Sequence, residues 1–108
     1  MPGSTDVIQG TLDMLILKSL SLQPMHGFGV TQRIEQISQG VFKVNPGSLL
    51  LAFQRMEREG LIEAEWRVSE NSRRAKYYSL TSRGRKHLKA ETSDWQRRAA
   101  AIARLLEA

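Results

Sequence analysis

The pattern of apolar and polar positions is clearest between residues 47 and 59, where it predicts one short amphipathic helix. Four apolar residues recur at i, i+3, i+4 and i+7 and share a face that must be buried: Leu49, Ala52, Phe53 and Met56. Asn45 is a good N-cap, Pro46 suits the first helical position, and Gly60 suits the left-handed residue that ends a helix. The outward face then carries Ser48, Leu51, Gln54, Arg55 and Arg58.

An alternating pattern follows this helix and predicts a β-hairpin. Residues 61–66 and 75–80 have the alternation of two strands, and Tyr78 shares a face with Leu80. We therefore expect the tyrosines of the second strand to pack the hairpin rather than to stack on bases. The polar loop and the adjoining strand ends carry Arg67, Asn71, Arg73, Arg74 and Lys76. A helix with a cationic outer face followed by a hairpin with a cationic tip predicts a winged helix-turn-helix.

Two helices are predicted before this unit and one after it. The first runs from its cap at Thr11 to residue 22, and the second spans residues 26–39 with Val30, Ile34 and Ile37 facing inwards. Residues 41–44 fit a short strand. The last helix begins after the cap Thr81 and continues to about residue 107. The expected fold is mainly α with a small β-hairpin wing (α+β), with a winged helix-turn-helix DNA-binding domain at 1–80 and a C-terminal dimerisation helix at 81–108 in one compact unit.

The last helix carries an apolar stripe with a regular spacing. Its members are separated by 4, 3, 4, 3 and 4 residues: Leu88, Thr92, Trp95, Ala99, Ile102 and Leu106. An apolar repeat of 3.5 residues is typical of the contact surface, or seam, between helices that pack along each other. We expect this helix to meet a second copy of the chain in a homodimer. The alternative is that it folds back on its own core, where the first helix would receive part of it.

Composition limits the class of protein. The chain has 108 residues with 41% apolar content, which suits a single domain. No apolar run approaches the roughly 20 residues of a membrane span, and the first residues lack the pattern of a secretory signal. Cysteine is absent, which fits a reducing compartment. We therefore expect a soluble, cytoplasmic protein.

Positive charge is concentrated in one part of the chain. The net charge is +5, but between Arg67 and Lys89 eight cations stand against the single anion Glu70, which gives +7 there and −2 elsewhere. Such asymmetry favours a polyanion, and nucleic acid is the commonest one. The alternative is a basic surface that merely aids solubility.

Catalytic and metal chemistry find little support in the residues. The two histidines are His26, in a turn, and His87, among basic residues, and neither has a convincing carboxylate partner in the sequence. Two histidines without cysteine also make a poor metal site. We expect no enzyme activity, no cofactor and no metal.

An ordered set of motifs resembles the PadR-type transcriptional regulators. The motifs are residues 10–18, residues 24–29, the helix start at 47–49, residues 55–60 and above all residues 73–84. The resemblance implies a prokaryotic repressor that is dimeric through its C-terminal helix. It also implies a pseudo-palindromic operator on double-stranded DNA and, in many members, release by a small molecule. An aromatic residue near the position of Trp95 lines an effector pocket in related drug-responsive regulators, so Trp95 either stacks on a planar aromatic effector or fills the dimer core.

The chain departs from this family at two places. Leu50 and Leu51 stand where many members have Tyr-Pro, and Phe28 occupies a position that is often Tyr. A tyrosine hydroxyl that could reach a phosphate is therefore missing. Leu51 either touches a thymine methyl group or is an apolar surface residue compensated elsewhere.

The expected roles of the polar residues follow from their chemistry. Arg55 and Arg58 could pair with guanine, or instead contact phosphate or the glutamates Glu57 and Glu59. Ser48 and Gln54 could contact phosphate or adenine. The wing cations should supply affinity and salt dependence more than sequence choice. The alternative function is a winged helix that binds a protein or RNA, which Leu50 and Leu51 favour slightly.

Overall fold

The structure is a computed structural model that describes residues 5–6, 9–68 and 71–108. Four helices and five strands follow one another in these ranges. They are β1 (Thr5–Asp6), α1 (Gln9–Leu22), β2 (Met25–His26), α2 (Gly27–Ile37), β3 (Phe42–Lys43), α3 (Pro46–Arg58), β4 (Ile62–Val68), β5 (Arg74–Leu80) and α4 (Ser82–Glu107). This is the expected α+β winged-helix fold. None of these helices has the length and apolar character needed to cross a membrane.

Helix α1 is the centre of the core, because α2, α3, α4 and β5 all pack against it. Its buried residues Ile16 and Leu17 are fully covered, and the predicted apolar face of α3 is buried throughout. Strands β4 and β5 form the wing. The start of β4 and the end of β5 pack on the core through Ile62, Tyr78 and Leu80. The ring of Tyr78 stacks on that of Phe53 with centroids 4.2 Å apart. Helix α3 and the wing therefore pack on the same hydrophobic core.

The sheet contains a strand that the sequence did not reveal. Strand β2 pairs antiparallel with β5, with Met25 opposite Tyr78 and His26 opposite Tyr77, which gives the order β2-β5-β4. The pattern of residues 24–26 looks like a simple interruption between helices, because a two-residue strand depends on a partner far along the chain. Strands β1 and β3 form a second, parallel pair.

Three helix boundaries agree with the sequence. The Asn45 side chain accepts hydrogen bonds from the N–H groups of Gly47 at 2.8 Å and Ser48 at 3.1 Å. Gly60 has φ of 75°, which is the left-handed conformation expected of a residue that ends a helix. Thr81 caps α4, since its hydroxyl accepts from Gly84 N–H at 3.0 Å.

Two other expectations about the helices were wrong. Helix α1 begins at Gln9, so Thr11 lies inside it and does not cap it. Ile37 was expected to face inwards, but it is 64% exposed. Helix α2 ends at this residue and the chain leaves through Gln39 and Gly40, both with positive φ, so that Ile37 lies at the helix end.

The start of α4 is joined to the base of the wing by backbone contacts. Thr81 donates its hydroxyl to the carbonyl oxygen of Gly60 at 2.6 Å, and its N–H to that of Leu61 at 3.2 Å. Gly84 lies so close to Leu61 that a Cβ there would be 2.0 Å from the Leu61 carbonyl oxygen. Only glycine permits this approach. We call Gly60, Leu61, Thr81 and Gly84 the α4 junction.

We predict that Gly84→Ala lowers the free energy of unfolding by at least ~2 kcal/mol, because the new methyl group collides with backbone rather than with a flexible side chain. For a domain of this size the melting temperature should fall by roughly 8 °C. Gly29→Ala is the matched control, since a Cβ in that helix meets its nearest atom at an ordinary 3.5 Å. Thermal melts of both variants followed by circular dichroism check this. Equal melting temperatures would contradict the close approach.

Candidate nucleic-acid interface

Helix α3 presents a polar face to solvent with one apolar residue in its middle. At about 100° per residue, Leu51, Gln54 and Arg58 fall within a sector of roughly 60° opposite the buried face, and all three are exposed. We call these three residues the crest of α3. Ser48 lies on the flank toward α1 and is also exposed. Leu50 lies on the opposite flank, toward the wing.

Arg55 is held by α1 rather than presented to solvent. Its guanidinium donates to a carboxylate oxygen of Asp13 at 2.7 Å and lies 3.7 Å from Glu59. The side chains of Arg55 and Asp13 are only 29% and 16% exposed. The hydrogen bond that Arg55 donates to Asp13 raises the pKa of Arg55; burial opposes this rise, and the charges of Asp13 and Glu59 add to it. A base contact by Arg55 would have to break this pair.

The register of the wing divides its residues between two faces. Trp66 lies opposite Lys76 and Val68 lies opposite Arg74, so these pairs share one face. Arg67 lies opposite Ala75 on the other face. There it forms an ion pair with Glu65 at 2.5 Å and stacks over the Tyr77 ring at 5.1 Å. Arg67 is therefore separated from the other cations of the wing.

A groove of about 850 Å³ runs between the wing and the helices α2 and α3. The wing side carries four of the residues singled out from the sequence, namely Asn71, Arg73, Arg74 and Lys76. Leu50 and Phe28 form the opposite wall, and the ring pair Phe53–Tyr78 lies at the bottom. The structure thus brings Arg73, Arg74 and Lys76 together beside α3, with an apolar surface between the wing and the helix.

Two of these wing cations have partners within the protein. The Lys76 ammonium lies 3.4 Å from a Glu57 carboxylate oxygen, which connects the wing to the flank of α3. The Arg74 guanidinium lies over the Trp66 ring at 5.1 Å. Within residues 9–68 and 71–108, neither Arg73 nor Arg58 forms an ion pair with another described residue. Among the described residues of this surface, these two arginines have neither an acidic nor an aromatic partner.

The side chains of the apolar stripe on α4 become more exposed toward the C-terminal end of the helix. Leu88 is partly buried against the core, and Thr92 and Ala99 are half-buried. Trp95, Ile102 and Leu106 are 51%, 56% and 81% exposed. Helix α1 contacts α4, so the first part of the helix does pack on its own chain. The remainder exposes apolar side chains at the spacing of a helix seam.

The histidines differ from expectation in one respect. His87 does have a carboxylate neighbour, because its Nε2 lies 3.2 Å from Glu91 one turn later on the same helix. Both side chains are about 40% exposed, and the i, i+4 spacing on the predicted last helix was the signal in the sequence that could have found this pair. His26 caps α2 by accepting from Gly29 N–H at 3.1 Å. In the described ranges, no three metal-binding side chains cluster.

Two residues shape this surface although the sequence analysis did not place them on it. Asp13 fixes Arg55 from a position 42 residues away, and no local pattern identifies such a pair. Phe28 is 67% exposed on the wall of the groove, stacked beside His26 with ring centroids 6.4 Å apart. The sequence marked Phe28 only as a departure from the family, and only the fold shows that this residue, in the first turn of α2, lies beside the wing.

Comparisons with known proteins agree on one family. Residues 16–90 match the family described as "Transcriptional regulator PadR-like family". An uncharacterised protein from Lysinibacillus sphaericus is 30% identical over 91 residues, which is 84% of each chain. A PadR-like transcriptional regulator from Bacillus cereus superposes with a TM-score of 0.81 at 25% identity, covering 93% of this chain and 95% of that one. A transcriptional regulator from Clostridium thermocellum gives 0.81 at 26% identity, covering 90% and 94%.

We predict that the Asp13–Arg55 pair contributes about 1 kcal/mol to the free energy of unfolding, since it is partly buried and hydrogen-bonded. Asp13→Asn and Arg55→Ala should each destabilise the fold, and the double variant should be less destabilised than the sum of the two. The control is Asp94→Asn, because Asp94 pairs with Arg97 on the exposed surface of α4. Urea denaturation of the four variants measures the coupling. Additive effects would show that the pair does not hold α3 on α1.

Proposed function

The chain belongs to the PadR-like family of transcriptional regulators, and on that premise we propose that it is a dimeric repressor that binds a pseudo-palindromic operator. Each copy would place the crest of α3 in the major groove and its wing on the neighbouring backbone or minor groove. It would act in the prokaryotic cytoplasm, where its operator lies. Regulators of this kind are generally not enzymes.

The observation that carries this proposal is the position of the wing cations relative to α3. Arg73, Arg74 and Lys76 line the groove beside the helix whose outward face carries Gln54 and Arg58. A helix in a major groove has the sugar-phosphate backbone along its side, which is where these cations lie. The concentration of positive charge in this part of the chain supports the same orientation.

The contacts within the protein suggest a division of roles. We assign base contacts to Gln54 and Arg58 on the crest, with Ser48 contacting phosphate from the flank. We assign Arg55 to holding α3 against α1, because it is already paired with Asp13. Arg73, Arg74 and Lys76, with Asn71, would hold phosphates. Arg67 would add only to the general positive field, since it lies on the far face of the wing.

Dimerisation through α4 is supported by the exposed part of its stripe. Trp95, Ile102 and Leu106 expose more than half of their surface in a single chain. Helix α4 has 26 residues and is therefore about 39 Å long, more than the rest of this small domain can cover. Two copies packed along this seam would bury these side chains and present two α3 crests, which fits a two-fold symmetric operator.

Trp95 is also the proposed contact for a planar aromatic effector. Its indole is 51% exposed in one chain, so it is available either to fill the dimer core or to stack on a ligand between the two copies. Its fluorescence, isolated in a Trp66→Phe background, distinguishes the two roles. Quenching by a planar aromatic compound supports the ligand contact, and an unchanged signal across a panel of such compounds assigns Trp95 to the core.

The alternative function is a winged helix that binds a protein or an RNA. Leu50 and Leu51, which are 53% and 67% exposed on α3, favour a protein partner. The cationic groove beside them favours a nucleic acid. Preference for a specific duplex and a steep salt dependence distinguish DNA from both alternatives.

The wing assignment is tested by a salt series on the duplex upstream of the protein's own gene, with random duplex as competitor. Arg73→Ala/Arg74→Ala should weaken binding on every sequence and reduce the slope of log K against log[salt] by nearly 2, at about 0.9 per phosphate contact. The control Arg97→Ala/Arg98→Ala removes the same charge from α4 and should leave the slope within about 0.5 of wild type. Equal slopes for wild type and the wing variant would remove the wing from the interface. Equally weak binding to both duplexes would favour a protein partner.

The dimer is tested by placing a charge on the seam. Ile102→Glu should convert a dimer into a monomer in sedimentation equilibrium and weaken operator binding at least tenfold, because burying an unpaired carboxylate in an interface costs more than about 1.4 kcal/mol. Ala100→Glu adds the same charge on α4 at an exposed position off the stripe and should leave the dimer intact. A wild-type monomer at micromolar concentration, or a dimeric Ile102→Glu variant, would contradict the α4 interface.

A further inference from the structure

Leu51 is the one apolar member of the crest of α3, and its place is unfavourable unless something covers it. It is 67% exposed and lies between Ser48 and Gln54 on the outward side of the helix. The neighbouring Leu50 differs, because it faces the groove and forms a wall of it with the wing residues opposite. Leu51 therefore points toward whatever α3 docks against.

The chemistry of the major groove restricts what can cover such a side chain. Base edges there present hydrogen-bond donors and acceptors, and the 5-methyl group of thymine is the apolar group among them. A leucine at the crest of a helix lying in that groove would desolvate polar edges at every base without this methyl. The cationic surroundings of the crest, with Arg58 on α3 and Arg73 on the wing, also fit DNA better than an apolar protein surface.

We propose that Leu51 is a specificity-determining residue that contacts the 5-methyl group of one thymine in each half-site. The proposal rests on the proposed function, since it requires α3 to lie in the major groove. Gln54 lies one helical turn from Leu51, about 5–6 Å away between Cβ atoms. With base pairs about 3.4 Å apart, the thymine lies within two base pairs of the base that Gln54 contacts.

The test uses duplexes enriched by wild-type protein from a random-sequence library. In the enriched duplex, each thymine of a half-site is replaced in turn by deoxyuridine, which removes only the methyl group. At one position this should weaken wild-type binding about fourfold in fluorescence anisotropy, the equivalent of burying one methyl-sized group at ~0.8 kcal/mol. Leu51→Ala should bind the thymine and deoxyuridine duplexes equally. Leu50→Ala is the matched control and should keep the wild-type sensitivity.

A second arm restores the methyl group in a different base pair. Where the thymine pair is replaced by cytosine–guanine, 5-methylcytosine should bind wild-type protein about fourfold more tightly than cytosine, with no such gain for Leu51→Ala. Circular dichroism melts confirm that the Ala variant is folded, which its exposure leads us to expect.

The outcomes separate this inference from the function on which it rests. If the library yields no enriched duplex, specific DNA binding fails and the thymine contact fails with it. If a duplex is enriched but deoxyuridine affects wild type and Leu51→Ala alike at every position, the thymine contact is overturned while sequence-specific binding stands. Loss of the deoxyuridine effect in Leu50→Ala instead would move the contact to the groove wall and overturn the assignment to Leu51.

Discussion

The close approach of Gly84 to the Leu61 backbone is the constraint on which the arrangement of this molecule depends. The α4 junction joins the end of α3, the start of β4 and the start of α4 within one cluster of backbone contacts. Gly84 lets the backbone of α4 lie against Leu61, and Thr81 donates hydrogen bonds to the carbonyl oxygens of Gly60 and Leu61. These contacts fix the direction of α4 relative to the wing. In a dimer formed through α4, the same contact would set the distance between two α3 crests.

Helix α3 is held from both flanks while its crest stays exposed. On one flank Arg55 binds Asp13 of α1, and on the other Glu57 lies near Lys76 of the wing. Its inner face is buried on the core that it shares with the wing. A recognition helix must keep its orientation when it enters a groove, and contacts on three sides supply that rigidity. The proposed division between holding residues and reading residues follows from this geometry.

The sequence predicts those features that depend on neighbours along the chain. The ends of α3 at Asn45 and Gly60, its buried face and the wing hairpin all follow from local spacing and turn chemistry, and the structure confirms them. Strand β2, the Asp13–Arg55 pair and the groove wall at Phe28 do not, because each depends on residues that only the fold brings together. The separation of Arg67 from the other wing cations likewise required the strand register.

The most direct test of the central claim, that α3 and the wing form one DNA-binding surface, is hydroxyl-radical footprinting on an enriched duplex. We predict two symmetry-related protected segments, each with a backbone region that loses protection selectively in Arg73→Ala/Arg74→Ala while the rest of the footprint persists. Two outcomes would contradict the account. One is a footprint that is unchanged in this variant, and the other is specific binding that protects no segment of the DNA backbone.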